Sequence, residues 1–185
     1  MGQDLSRDLP ITAYALLGLL SFGDSLTGYE LKQRADRTLR FYWVSPAMSQ
    51  VYSELERLHD LGLVKSQGDA RSTSYSLTSR GSSVLTDWMN TSPVGFPVLK
   101  HPVALRLLLG ALVHPARVTN MLLDHLAALD EERAALEQVR HSLEGQDQPG
   151  DPFRYPALVA DWGSSYFEHE RTIVEDLLRR IHEGT

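Results

Sequence analysis

Apolar positions recur at helical spacing through most of this chain and alternate in only one place, residues 73–77. Residues 10–22 carry Ile11, Tyr14, Ala15, Leu17, Leu19 and Leu20, an apolar surface too wide for one side of a helix. That helix must be covered from several directions. Thr27-Gly28-Tyr29-Glu30 has the form of a capping box, in which Thr and Glu satisfy each other's free amides. A second helix is expected from there, with Tyr29, Leu31 and Ala35 as its apolar positions. Ser45-Pro46 predicts the start of a third, Ser as the cap and Pro in the first turn, where its missing N–H costs nothing. Val51, Leu55 and Leu58 follow on one face with Met48 beside them, and Gly62 ends the helix. Leu63, Val64 and Lys65 begin an extended segment, Gly68 and Asp69 supply turn chemistry, and residues 73–77 return as a strand. The pair is a two-stranded wing, and Thr78 then caps a helix that carries Val84, Leu85 and Trp88.

Residues 91–102 hold Pro93, Gly95, Pro97 and Pro102, which breaks the helical pattern and divides the chain into domains 1–91 and 92–185. Residues 103–113 read as a short buried helix, closed by His114-Pro115. Beyond it Leu122, Leu129, Leu136 and Leu143 stand at seven-residue intervals, with Val118, Leu126 and Val139 on or near the same seam. Residues 144–156 are a loop rich in Gly, Asp and Pro, after which Leu158, Trp162, Tyr166, His169, Ile173, Leu177 and Ile181 repeat at spacings of three and four. Two long amphipathic helices joined by a loop make an antiparallel hairpin. Such a hairpin covers only part of its own apolar stripes, so pairing with the same hairpin of a second copy is expected.

The third helix carries the candidate chemistry. Opposite its apolar face lie Ser49, Ser53, Glu56 and Asp60, flanked by Gln50, Tyr52 and Arg57. Its first half is small and polar and its second half acidic, so only the first half suits a nucleic acid: hydroxyls and amides bond to base edges and phosphates, whereas carboxylates repel them. Ser45, Ser49, Gln50 and Ser53 are the candidate base or phosphate contacts. The preceding helix collects Lys32, Arg34, Arg37 and Arg40, either a solvated face or a helix laid across the phosphate backbone. Lys32, Arg34, Lys65 and Arg71 are the candidate phosphate neutralisers.

The succession Phe41-Tyr42-Trp43-Val44-Ser45, Tyr52, Leu55, Leu58, Leu61-Gly62-Leu63-Val64, Tyr75-Ser76-Leu77-Thr78 and Gly81 resembles the PadR family of winged-helix transcriptional regulators. The resemblance covers roughly the first half of the chain. It implies a mainly α protein: an N-terminal winged helix-turn-helix domain with a two-stranded wing, and a C-terminal α-helical hairpin that dimerises. It further implies a homodimeric regulator of double-stranded DNA, usually a repressor, and makes Tyr52 a phosphate contact. Some relatives bind aromatic effectors near the dimer centre, so Trp43, Trp88 and Trp162, core residues in the first place, become candidates for lining an effector pocket. The wing here is shorter than is common in that family, and its loop offers Arg71 alone as a basic residue.

Charge makes the DNA reading conditional. The formal net charge is −6, yet residues 1–92 hold nine Lys or Arg against ten Asp or Glu, and residues 93–185 nine against fourteen. The first half is nearly neutral, which leaves room for a winged helix that has become a protein-interaction module as the competing reading. No Cys is present, which removes disulfides, thiolate zinc sites and cysteine nucleophiles. The seven His are scattered without a two-His zinc motif, and no nucleophile elbow, phosphate loop or dinucleotide fingerprint occurs, so neither an enzyme, a cofactor nor a metal site is expected. No basic-then-apolar leader opens the sequence and its longest apolar run is far short of the ~20 residues that span a bilayer, so a cytoplasmic protein away from membranes is expected.

Overall fold

In the computed structural model, residues 9–68, 73–97, 100–146 and 148–183 are described. They divide into two compact units, 1–95 and 96–185.

The first unit is built on α1 (Ile11–Leu20), which has Ala13, Tyr14, Leu16, Leu17, Leu19 and Leu20 buried and therefore lies at the centre of its core. Against it pack α2 (Gly28–Thr38), α3 (Met48–Asp60) and α4 (Ser79–Thr91). Tyr14 stacks on Trp88 of α4 with ring centroids 4.5 Å apart. The capping box at α2 forms as expected: Thr27 Oγ1 accepts from the Glu30 amide at 3.2 Å, and Glu30 Oε2 accepts from the Thr27 amide at 2.8 Å. The bond from the Thr27 amide, and a second that Thr27 Oγ1 donates to Glu30 Oε2 at 2.8 Å, hold the Glu30 carboxyl below its ordinary range. Tyr29 was expected on the apolar side of α2 but is exposed, and its hydroxyl accepts from Gln33 Nε2 at 3.0 Å. Gly28, Leu31 and Ala35 form the buried side instead.

The wing strands β2 (Val64–Gln67) and β3 (Ser74–Leu77) pair antiparallel, Val64 opposite Leu77 and Gln67 opposite Ser74. A third, two-residue strand, β1 (Leu26–Thr27), adds to the far edge of β3, Leu26 opposite Tyr75. Two residues are too short to show alternation, so no pattern along the chain marks this strand. Gly62 takes φ +69°, the left-handed conformation that Gly enters without steric cost. Its amide reaches the His59 carbonyl and that of Leu63 the Leu58 carbonyl, both at 2.8 Å, closing α3 with a Schellman motif. Thr78 then bonds through Oγ1 to the carbonyls of Gly62 (2.9 Å) and Leu63 (3.0 Å), while accepting from the Gly81 amide (3.0 Å) as the cap of α4.

The second unit holds α5 (Pro102–Leu108), α6 (Pro115–Ser142) and α7 (Arg154–Glu183), with α6 and α7 forming the long hairpin. The leucine seam of α6 is as expected: Leu122 and Leu136 are fully buried, and Val118 and Leu129 nearly so. The reading of residues 103–113 as a buried helix is corrected. The α-helix stops at Leu108, a 3-10 turn follows over Gly110–Leu112, and Leu105, Leu108, Leu109, Leu112 and Val113 are exposed within the single chain. The stripe expected on α7 is corrected up to Ile173, while Leu177 and Ile181 at its end pack against the core of this unit as expected. The covered side of the helix is Ala160, Gly163, Val174 and Leu178, whereas Leu158, Trp162, Tyr166 and Ile173 are exposed. Small residues let the α6 backbone come close, and the larger apolar ones lie to the side of that contact. Pro156, expected in the loop, sits in the first turn of α7, where its missing N–H costs nothing. No helix among the described residues is long and apolar enough to cross a membrane.

Candidate nucleic-acid interface

The third helix stands on Val51, Leu55 and Leu58, all fully buried, and this fixes which of its residues face outward. Ser49, Gln50, Tyr52 and Ser53 are exposed together on its first two turns. Gln50 Oε1 accepts from the Ala47 amide at 2.9 Å, half of a capping box, because Ala47 has no side-chain acceptor to complete it. Ser53 Oγ donates to the Gln50 carbonyl at 3.1 Å. Tyr52 is 49 % exposed, but one edge of its ring rests on the backbone of Gly28, where a Cβ would fall 2.5 Å from Cε1. The start of α2 thus sets the angle of that ring.

Ser45 does not do what its position implied. The helix starts three residues later, at Met48, and Ser45 Oγ donates to Asp36 Oδ1 at 2.6 Å and lies 3.4 Å from Lys32 Nζ. The charge-assisted bond to this carboxylate sets where the hydroxyl lies, and the N-cap position falls to Ala47, two residues further on. Lys32 pairs with the same carboxylate. Lys32, followed by Ser45, holds the Asp36 carboxyl below its ordinary value. Arg34 pairs with Asp24 and donates to the Leu19 carbonyl at 3.2 Å. Both candidate phosphate cations of α2 are therefore committed within the protein, while Arg37 of the same helix and Arg40, in the 3-10 turn Leu39–Phe41 that follows it, are exposed, Arg40 lying over the Phe41 ring at 4.7 Å. Lys65 is exposed on β2 opposite Ser76. Arg71 lies outside the described residues.

Between α2 and α3, Phe41 and Tyr42 are half-buried and Trp43 is 39 % exposed. Burial pushes the Tyr42 phenol up to about 12, so it stays neutral at ordinary pH. Trp88 is spent on Tyr14, and Trp162 is 65 % exposed on α7. A cavity of about 760 Å³ opens between α5 and α6, lined by Val103, Arg106, Leu109, Leu112, Val118 and His125 among others.

A winged helix with an exposed polar recognition face, followed by a long helical hairpin, defines a class: the folds of winged-helix transcriptional regulators with an appended helical unit. No family model and no curated protein matches the sequence. Solved structures do. Bacillus subtilis PadR in complex with operator DNA is 22% identical, with a TM-score of 0.79 over 93% of this chain and 99% of that one. The same protein in complex with p-coumaric acid gives 23% identity and 0.76 over 94% and 99%. The Vibrio cholerae virulence activator AphA gives 17% identity and 0.72 over 94% and 99%. Within the class, this chain has the PadR fold over nearly its whole length. The proteins that share it are transcriptional regulators, not enzymes.

Proposed function

We propose that the chain is a sequence-specific DNA-binding transcriptional regulator acting as a homodimer on a roughly palindromic operator. The observation that carries the reading is the row Ser49, Gln50, Tyr52 and Ser53, exposed on a helix whose opposite face is locked into the core. Entry of α3 into a major groove brings Ser49, Gln50 and Ser53 to base edges or phosphates, with Tyr52 on a flanking phosphate and Lys65 and Arg71 on the backbone to either side. Lys32 and Arg34 reach phosphates only by giving up Asp36 and Asp24. The exposed stripe Leu158, Trp162, Tyr166 and Ile173 supplies apolar surface for a second copy, and two such copies set their recognition helices about 34 Å apart.

Repression is the expected direction, although AphA carries this fold as an activator. The cavity between α5 and α6, apolar with Arg106 and Arg117 in its wall, suits a small aromatic acid as effector, and a cytoplasmic location goes with a DNA partner. Selection of bound sequences from random DNA with the full chain tests the proposal. A two-fold symmetric motif is the expected result, and the absence of any enriched sequence overturns it. The competing reading, a winged helix turned protein-interaction module, draws support from Lys32 and Arg34 being held in internal ion pairs. Gel shifts with genomic fragments at low and moderate salt separate the two: selective retardation favours the operator, its absence the module.

A further inference from the structure

The second unit brings together three side chains that lie far apart in the sequence. His101 caps the start of α5, His125 lies in the middle of α6, and Glu170 lies in the middle of α7. Glu170 Oε1 lies 2.8 Å from His101 Nε2 and 3.2 Å from His125 Nε2, and the two rings meet edge to face with centroids 5.3 Å apart. One ligand atom from each falls within 4.8 Å of the other two. The three side chains are only 14%, 20% and 13% exposed. We propose that His101, His125 and Glu170 bind one divalent transition-metal cation, zinc fitting best.

Four physical points carry this. Zinc at about 2.0–2.1 Å from nitrogen and oxygen donors in a tetrahedron separates those donors by about 3.3 Å. Glu170 therefore needs to move from each ring by about half an ångström or less, with all three ligand atoms already within 4.8 Å of one another. Two imidazoles and one carboxylate are the donor set that zinc and its neighbours in the first transition row accept, leaving one position for water, whereas calcium and magnesium require more oxygens. The adjacent cation does not compete for Glu170, because Arg171 is spent on Asp130 and Glu175. Finally, the largely covered Glu170 carboxylate has two imidazoles as its ion-pair partners among the described residues, and a divalent cation would give that carboxylate a direct positive partner.

The tautomer of His101 adds a structural consequence. Its Nδ1 accepts from the Ala104 amide at 3.2 Å, so without metal the ring proton sits on Nε2 and points at Glu170. A cation at Nε2 moves that proton to Nδ1, and the Ala104 amide loses its acceptor. The ion therefore ties the beginning of α5 to the hairpin while loosening the first turn of α5, beside the cavity that His125 also lines.

The test is titration of the tag-free, chelator-treated full chain with zinc chloride by calorimetry, and with cobalt chloride by visible absorption. One ion per chain is expected, with the visible band of a four-coordinate cobalt site and a raised Tm. Glu170→Gln keeps an acceptor for both rings and removes the charge, and His125→Gln removes one ligand. Each should weaken binding at least a hundredfold, with circular dichroism in chelator showing that each variant is folded. His141→Ala, at an exposed histidine paired with Glu144, should leave binding unchanged. A wild-type chain that takes up no stoichiometric ion overturns the site. So does binding that is equally strong in the wild type, Glu170→Gln and His125→Gln, since it then belongs to surface histidines.

Discussion

Gly81 lies where the first turn of α4 meets the backbone of Leu63, and a Cβ there would press into the Leu63 carbonyl oxygen. The backbone has to move to relieve that, so Gly81→Ala is expected to cost the first unit about 2–3 kcal/mol, read as a lowered Tm or denaturant midpoint. Gln50 has two duties at once. Its Oε1 accepts from Ala47, and paired recognition of adenine needs the same oxygen together with the amide nitrogen, so the cap bond must be shared or surrendered on binding. Gln50→Ala should relax preference at one base position of the selected motif, with about 0.5–1 kcal/mol of stability lost with the cap. Loss of affinity by the same factor on cognate and random DNA would refute that role. Asp36 gives a pH signature. Its folded-state carboxyl is held below the ordinary aspartate value, first by Lys32 and then by Ser45, so the stability it adds is present above that ordinary value and disappears as pH falls through the lower, folded one. Asp36→Asn should therefore destabilise at neutral pH and flatten the acid limb of a stability–pH curve below about pH 4.

Among the elements, α7 is where sequence and structure part. Its large apolar residues repeat so regularly that they read as the seam of the hairpin, yet the seam runs through Ala160, Gly163, Val174 and Leu178. Spacing identifies a face but not the neighbour that covers it, and small residues in close contact carry little weight in a hydrophobic pattern. In the proposed homodimer the exposed stripe is the contact surface, so Ile173→Glu should give monomers in analytical ultracentrifugation with unchanged helix content, and should abolish operator binding at concentrations where the wild type is bound. Undiminished dimer would place the interface elsewhere. The third helix was more legible. Val51, Leu55, Leu58 and Gly62 placed its buried face and its end, because those signals are local. Its start is less so: it falls at Met48, three residues beyond Ser45, which bonds instead to Asp36, a partner distant in sequence. The two-residue β1 and the contact of Tyr52 with Gly28 escaped notice for the same reason: each is defined by a partner from another part of the chain.

For the molecule as a whole, the net charge of −6 limits how it can meet a polyanion. With Lys32 and Arg34 engaged internally, affinity should fall only modestly with salt, by about 0.9 log units per log unit of salt for each phosphate neutralised. Lys65→Ala should lower that slope by about 1 and weaken binding alike on all sequences, measured by gel shift across a salt series. Fourteen of the 24 acidic residues fall in residues 93–185 and the first half is nearly neutral, so the DNA recognition proposed for α3 would rest on shape and hydrogen bonds more than on electrostatic attraction. The short β1 pairing has a bearing on how this fold tolerates change. Leu26 is buried and Thr27 caps α2, and both are fixed by lying opposite Tyr75 and Ser74. One residue inserted at 23–25 would slide that edge by a single step, turn the leucine to solvent and take the threonine hydroxyl away from the helix it closes. The loop before α2 is therefore a ruler whose length cannot drift, even though its own residues look replaceable.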